Sequence, residues 1–339
     1  MFYKNRQVQK KSDKKIKLLV ILIYIYLIIS IFHKNLYFIF TENKLDTITT
    51  YFDVNKEIIN KQKICVCTLG KEENLYIREY VEHYKKYGVD IIFLYDNNDI
   101  DGERFETVIG DYIESGFVKI LNWRGEKRAI FKIMNNCYKN NYELYDWLIF
   151  YELDEFIHLS NYSNIKLFLN EKKFNKCNLI YLNLICHTDN NLLFYENKSL
   201  VERFPETVPL DRLGGQSLEI KCIMRGHIPG IIINNVHGCN YDKKYKNCNG
   251  FGNYYKHYNR FATEKDYKYY YIDHYFSKST EEFINKINKG DAALNINERY
   301  NMHRIWKYFS QSNFTEEKKM MIENRTGLNL TFFMNYSFP

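Results

Sequence analysis

Between residues 63 and 151 the chain alternates short apolar runs with amphipathic ones, and few folds accept that pattern. "KICVCTL" (63–69), "VDIIFLY" (89–95), "FVKIL" (117–121) and "DWLIFY" (146–151) are almost continuously apolar. Such strands are covered on both faces, unlike the polar–apolar alternation of a half-wet sheet. Between them, "NLYIREYVEHYKKYG" places Ile77, Tyr80, Val81, Tyr84 and Tyr87 at helical spacing and ends at Gly88. "ERFETVIGDYIESG" repeats the spacing through Phe105, Val108, Ile109, Tyr112 and Ile113, and "EKRAIFKIMNNCYKNN" gives a third helix. The alternation predicts an α/β fold built on a mostly parallel sheet with helices on both faces. After residue 160 it weakens into strand-like runs at 178–185, 219–224, 230–236 and 269–276. One late helix is well marked: in "STEEFINKINKG", Ser279 and Glu282 have capping-box spacing.

The fourth strand runs straight into charge. "WLIFYELDEFI" places Glu152, Asp154 and Glu155 within four positions of one another, directly behind buried residues. Unpaired carboxylates cannot be buried cheaply, so a positive partner must meet them. Ligands of open α/β sheets bind beyond the carboxyl ends of the strands, where Asp96 and Asn97 (after the second strand) and the 152–155 cluster fall. Glu152 and Asp154, two apart, point to one side of an extended segment. Paired oxygen ligands of this kind suit a hard divalent cation, Mn²⁺ or Mg²⁺, that keeps positions open for a nucleotide's phosphates.

The net charge of +7 is not a nucleic-acid footprint, because six of those charges belong to residues 1–17. That basic tail abuts "LLVILIYIYLIISIF" (18–32), and "LYFIF" (36–40) extends the apolar stretch. The pattern predicts a cytoplasmic tail (1–17), a transmembrane anchor (18–40), a stem (41–62) and a type II orientation with the remainder lumenal. All eight cysteines follow the anchor, where disulfides are permitted. Cys65 and Cys67 share a strand face and should not bond to each other; several cysteines are expected to be small core residues. Sequons at Asn161, Asn197, Asn313, Asn324, Asn329 and Asn335 agree with a lumenal, glycoprotein domain.

In order along the chain, the motifs resemble glycosyltransferase family 92, related to the family 2 enzymes. The resemblance rests on Lys71 and Glu73; on Glu79, Tyr80 and His83; on Tyr95, Asp96 and Asn97; and on Glu152, Asp154, Glu155 and Phe156. "ERF" (202–204), "KCIMR" (221–225), "NVHG" (235–238) and "HYFSKSTEEFINKINKG" (274–290) extend it over residues 63–310, with 311–339 a C-terminal tail. Two positions depart: Glu72 stands where the family usually has Asn, and Glu152 where it usually has Asp.

The resemblance implies a GT-A, Rossmann-like fold, a UDP-sugar donor (UDP-galactose), a glycan acceptor and inverting transfer in the Golgi or ER lumen. It implies Asp154 as metal ligand, helped by Glu152, and a late histidine, His237 first and His274 second. Thr68, Lys71, Glu73, Asp96 and Asn97 would border the donor. Glu219 and Asp211 are the candidate bases that would deprotonate the acceptor hydroxyl. The alternative is an inactive domain of the same fold that binds glycans or scaffolds partners. Cys239 and Cys248 beside His237 also raise a zinc site, without a standard ligand spacing.

Overall fold

The structure is a computed structural model, and it describes residues 56–59, 61–209, 219–240, 242, 244–254, 268–290 and 298–331. The described strands form one nine-stranded sheet. Its first half follows the predicted alternation: β1 (Ile64–Gly70), α1 (Ile77–Lys86), β2 (Ile91–Asp96), α2 (Glu106–Glu114), β3 (Val118–Asn122), α3 (Ile130–Asn141) and β4 (Trp147–Ile149). These four strands are parallel in the order β3-β2-β1-β4. Alternate residues of β1 feed two cores. Ile64 and Val66 pack under α1 and α2, and Cys65 and Cys67 pack under α3. Both faces of the sheet are therefore covered, as continuous apolar strands require.

The second half is mixed. It contains β5 (Glu155–Leu159), α4 (Ile165–Leu169), β6 (Leu179–Cys186), α5 (Leu200–Arg203), β7 (Ile220–Arg225), β8 (Asn247–Asn249) and β9 (Tyr270–His274). The sheet continues β4-β7-β6-β9-β5, with β7 antiparallel to β4 and β6, and β5 antiparallel to β9. β4 and β5 are separated by only five residues yet stand four strands apart, so the sheet curls back on itself. Then come α6 (Thr280–Asn288), α7 (Glu298–Gln311) and α8 (Glu316–Thr326), which share a third core around Phe283, Tyr308 and Ile322. The Ser279–Glu282 capping box at the start of α6 is present as predicted.

One expected strand does not form. At 230–236, Ile231 and Ile233 are buried, but the Asn135 side chain takes both backbone groups of Ile233, at 2.8 and 2.9 Å. A side-chain amide there replaces a neighbouring strand. The cysteines also differ from the core role expected for several of them. Cys67–Cys137, Cys177–Cys248 and Cys222–Cys239 are disulfides, leaving Cys65 and Cys186 as buried thiols. With their sulfurs so bonded, Cys239 and Cys248 cannot hold zinc. Among the described residues no helix is long and apolar enough to cross a membrane. The expected anchor (18–40), the tail before it and most of the stem lie outside those residues.

Candidate active site

The acidic segment is a turn held from below by α1. Tyr80 and Tyr84 donate their hydroxyls to the carbonyls of Tyr151 and Glu155, at 3.2 and 2.9 Å. The His83 ring meets the Ile157 carbonyl at 2.9 Å. Burial, the dominant influence, lowers the His83 imidazole to about 4, so it is neutral at physiological pH. Glu79, one position before Tyr80, accepts from the Leu200 amide at the start of α5. Tyr80, Tyr84 and His83 thus clamp the acidic segment through its backbone carbonyls, while Glu79 anchors the start of α5. Gly70, at the end of β1, is required by close packing: a Cβ there would meet Phe105 and Leu153 at 2.6 and 2.7 Å.

The register of β5 against β9 sets Glu155 opposite His274 across 119 residues of chain. Asp154, Glu155 and His274 bring one ligand atom each within 4.8 Å of one another, and all three are buried. The His274 ring lies 3.9 Å from Asp154 Oδ1, and its Nδ1 is buried without a hydrogen-bond partner. Burial lowers this imidazole to about 3, which leaves it neutral, the form that binds metals. Two carboxylates and an under-satisfied neutral histidine fit a hard or borderline divalent cation.

Lysines meet these carboxylates. Lys286 Nζ lies 2.7 Å from Asp154 Oδ2. Lys221, almost fully buried, bridges Glu152 at 2.5 Å and Glu155 at 3.0 Å. For Asp154, burial works to raise its pKa, but Lys286, Lys278 and His274 together hold it well below the usual carboxylate range. Glu155 goes the other way: burial outweighs Lys221, and Glu152 and Asp154 add to the rise, to about 8.

Above the turn opens a cavity of about 430 Å³, within the usual range for small-molecule sites. It is lined by Lys71, Glu73 and Asn97, by Glu152 and Asp154, and by Lys286, Lys289 and Arg304. Lys289 is paired with Glu73 and also donates to the Lys71 carbonyl at 2.9 Å. Asn97 donates to the Trp123 and Glu126 carbonyls and so holds the loop after β3 against the cavity.

The structure therefore gathers Lys71, Glu73, Asn97, Glu152 and Asp154 around one space, with His274 buried beside Asp154. Thr68 lines a small neighbouring pocket with Glu152 and Lys221. His237 lies outside the Asp154–Glu155–His274 group; its charge neighbours are Lys221, Glu219 and Glu152, and burial lowers it to about 4. Glu219 is buried 3.3 Å from Lys307. Together with Glu155 and Asp154 it acts on the Cys186 thiol, which burial pushes up to about 12. Asp211 lies outside the described residues. Asp96 does not line the cavity: its carboxylate is buried against Arg124 at 2.5 Å and accepts two bonds from Asn98. The cations Lys221, Lys286, Lys289 and Arg124 are absent from the sequence-based candidates. Their one legible signal is the spacing of Lys286 and Lys289, three apart on one helical face.

Residues 61–292 match the description of glycosyltransferase family 92. A family 92 protein of Ricinus communis is 26% identical over 129 residues, which cover 37% of this chain and 22% of that protein. One of Oryza sativa subsp. japonica is 30% identical over 98 residues, or 28% of this chain and 16% of that protein. The aligned stretches thus span about a fifth of those relatives. Among solved structures, S. aureus TarS 1–349 in complex with UDP-GlcNAc aligns with 78% of this chain and 80% of its own, at 14% identity and a TM-score of 0.39. With more than half its length matching the family description, the chain belongs to glycosyltransferase family 92.

Proposed function

We propose that the chain is a membrane-anchored, metal-dependent glycosyltransferase that moves a hexose, galactose by family resemblance, from a UDP-sugar to a glycan hydroxyl with inversion. The observation that carries this reading is the buried Asp154–Glu155–His274 group, whose Asp154 lines a cavity that Lys71, Lys286 and Lys289 also border. Asp154, Glu155 and His274 would hold Mn²⁺ or Mg²⁺, with Glu152 beside them. The ion would supply Lewis-acid neutralisation of the departing diphosphate. Lys286, Lys289 and Arg304 line the same cavity and add positive charge that would stabilise a phosphate leaving group. Lys71, Glu73 and Asn97 line the same cavity and would position the nucleotide. Glu219 is the described candidate for the base, and its pairing with Lys307 would have to give way to an acceptor hydroxyl. A GT-A fold and lumenal placement in the Golgi or ER complete the proposal. Three disulfides support an oxidising compartment, and the apolar segment 18–40 behind a basic tail supports a type II anchor.

A second reading, an inactive glycan-binding domain, is favoured by one observation: lysines already neutralise Glu152 and Asp154. A screen of UDP-sugars with the full-length protein in detergent, with and without Mn²⁺, tests both. Mn²⁺-dependent release of UDP is the expected outcome. Absence of turnover and hydrolysis with every donor, alongside retained glycan binding, would establish the inactive domain instead.

A further inference from the structure

Asp154 carries two different neighbours on its two oxygens. Oδ1 faces the under-satisfied His274 ring at 3.9 Å, and Oδ2 holds the Lys286 ammonium at 2.7 Å. Lys286 has few other attachments: its ammonium rests over the Phe276 ring, 4.3 Å from the centroid. Its stem comes from the second turn of α6, and the side chain borders the cavity. A lysine held by one carboxylate and one ring face, on a flexible four-carbon stem, can leave at little cost. A divalent cation and an ammonium on one carboxylate repel each other, so the two cannot share Asp154 comfortably.

We propose that Lys286 is an exchangeable counter-ion: it neutralises Asp154 while no divalent cation is bound, and passes to the donor's diphosphate when the cation takes Asp154. This rests on the nucleotide-sugar reading above. Lys289 lies three residues on along the same helical face, and Arg304 lines the cavity and donates to the Lys286 carbonyl at 2.8 Å, so a released Lys286 joins cations already bordering that space. The cluster thereby avoids holding unpaired buried carboxylates before the substrate arrives. The exchange makes metal and nucleotide mutually dependent beyond their direct contact. The cation must compete with Lys286 when alone, and the diphosphate removes that competitor.

The test is Mn²⁺ binding by full-length protein in detergent, read from the electron paramagnetic resonance of free Mn²⁺, with and without UDP. Lys286→Met should bind Mn²⁺ alone about tenfold more tightly than wild type, while UDP should raise its Mn²⁺ affinity far less. Lys286→Arg, which keeps the competing charge, should bind Mn²⁺ alone as weakly as wild type. Lys289→Met, whose lysine pairs with Glu73, should weaken UDP binding yet leave Mn²⁺ binding alone within about twofold. Lys286→Gln serves the same comparison should the methionine variant melt early. If all proteins bind Mn²⁺ with UDP present but removal of the Lys286 charge brings no tightening, the exchange is wrong and the metal reading stands. If neither wild type nor Lys286→Met binds Mn²⁺ even with UDP, the metal reading falls and takes the exchange with it.

Discussion

Two buried aspartates follow strands of the same sheet, and they are held in opposite ways. Asp96, at the end of β2, faces Arg124, whose guanidinium also donates to the carbonyls of Ile100, Gly102 and Glu103 at 2.8–3.3 Å. Asn98 completes the set with two bonds to Asp96 Oδ1. Asp154, just beyond β4, faces a lysine with one carboxylate and one ring for company, at the edge of an open cavity. Burial and charge are similar at the two sites. What differs is the number of bonds anchoring the partner. A cation tied to several carbonyls belongs to the scaffold, whereas one tied only to the carboxylate can be exchanged.

The sharpest test of that contrast is Asp154→Asn. The substitution keeps the shape and removes the charge a hard cation needs, so transfer activity should fall about a thousandfold or more. Added Mn²⁺ and UDP should raise the melting temperature of wild type and barely move the variant. Metal-free stability is expected to fall by about 1–3 kcal/mol rather than rise. Crowding among the acids would favour the amide, but here Lys286 relieves that crowding and would lose its partner. A variant with full activity would make Asp154 as structural as Asp96.

Asp96→Ala should do its damage to the fold. Leaving Arg124 buried without its carboxylate is expected to cost about 3–5 kcal/mol, measurable by urea denaturation. If stability were unchanged while nucleotide affinity dropped, Asp96 would instead be a ligand contact and the contrast would fail. A third measurement probes the clamp beneath the acidic turn. His83 is held near 4, below the ordinary value of 6.5, so folding favours its neutral form. Its contribution is complete above about pH 6.5 and is lost as pH falls through about 4, an acid loss of about 2–3 kcal/mol. Comparing wild type with His83→Gln between pH 7 and 4 should show a shallower decline in the variant. Parallel curves would mean that His83 titrates freely.

The smallest effect concerns Glu72, which has φ of 52°, in the left-handed region. Asn tolerates that conformation better than Glu. Glu72→Asn should therefore stabilise the protein by up to about 1 kcal/mol while leaving donor binding unchanged. A loss of affinity would show that the longer carboxylate has acquired a contact with the donor.

Much of this architecture is legible in the residues themselves. Apolar runs without alternation, separated by helices of matching length, leave little choice but parallel strands covered on both sides. A carboxylate cluster directly after such a strand marks the ligand edge of the sheet. Local signals such as the Ser279–Glu282 cap read directly because their partners are three residues apart. The strand expected at 230–236 fails for the opposite reason. Its apolar run is real, and Ile231 and Ile233 are buried, but Asn135 on a distant helix takes the backbone groups of Ile233.

What only the tertiary structure decided is partnership across long stretches of chain. Antiparallel pairing of β5 with β9 sets His274, rather than His237, beside Asp154 and Glu155. The curl of the sheet and the docking of α6 then place Lys286 on Asp154, while Arg124 closes over Asp96. Residue type and spacing reveal which groups need an opposite charge, because burying a bare carboxylate is costly wherever it occurs. They cannot say which of 48 lysines and arginines meets it. That choice depends on strand register and helix docking, which are set by the whole core rather than by any local run of sequence.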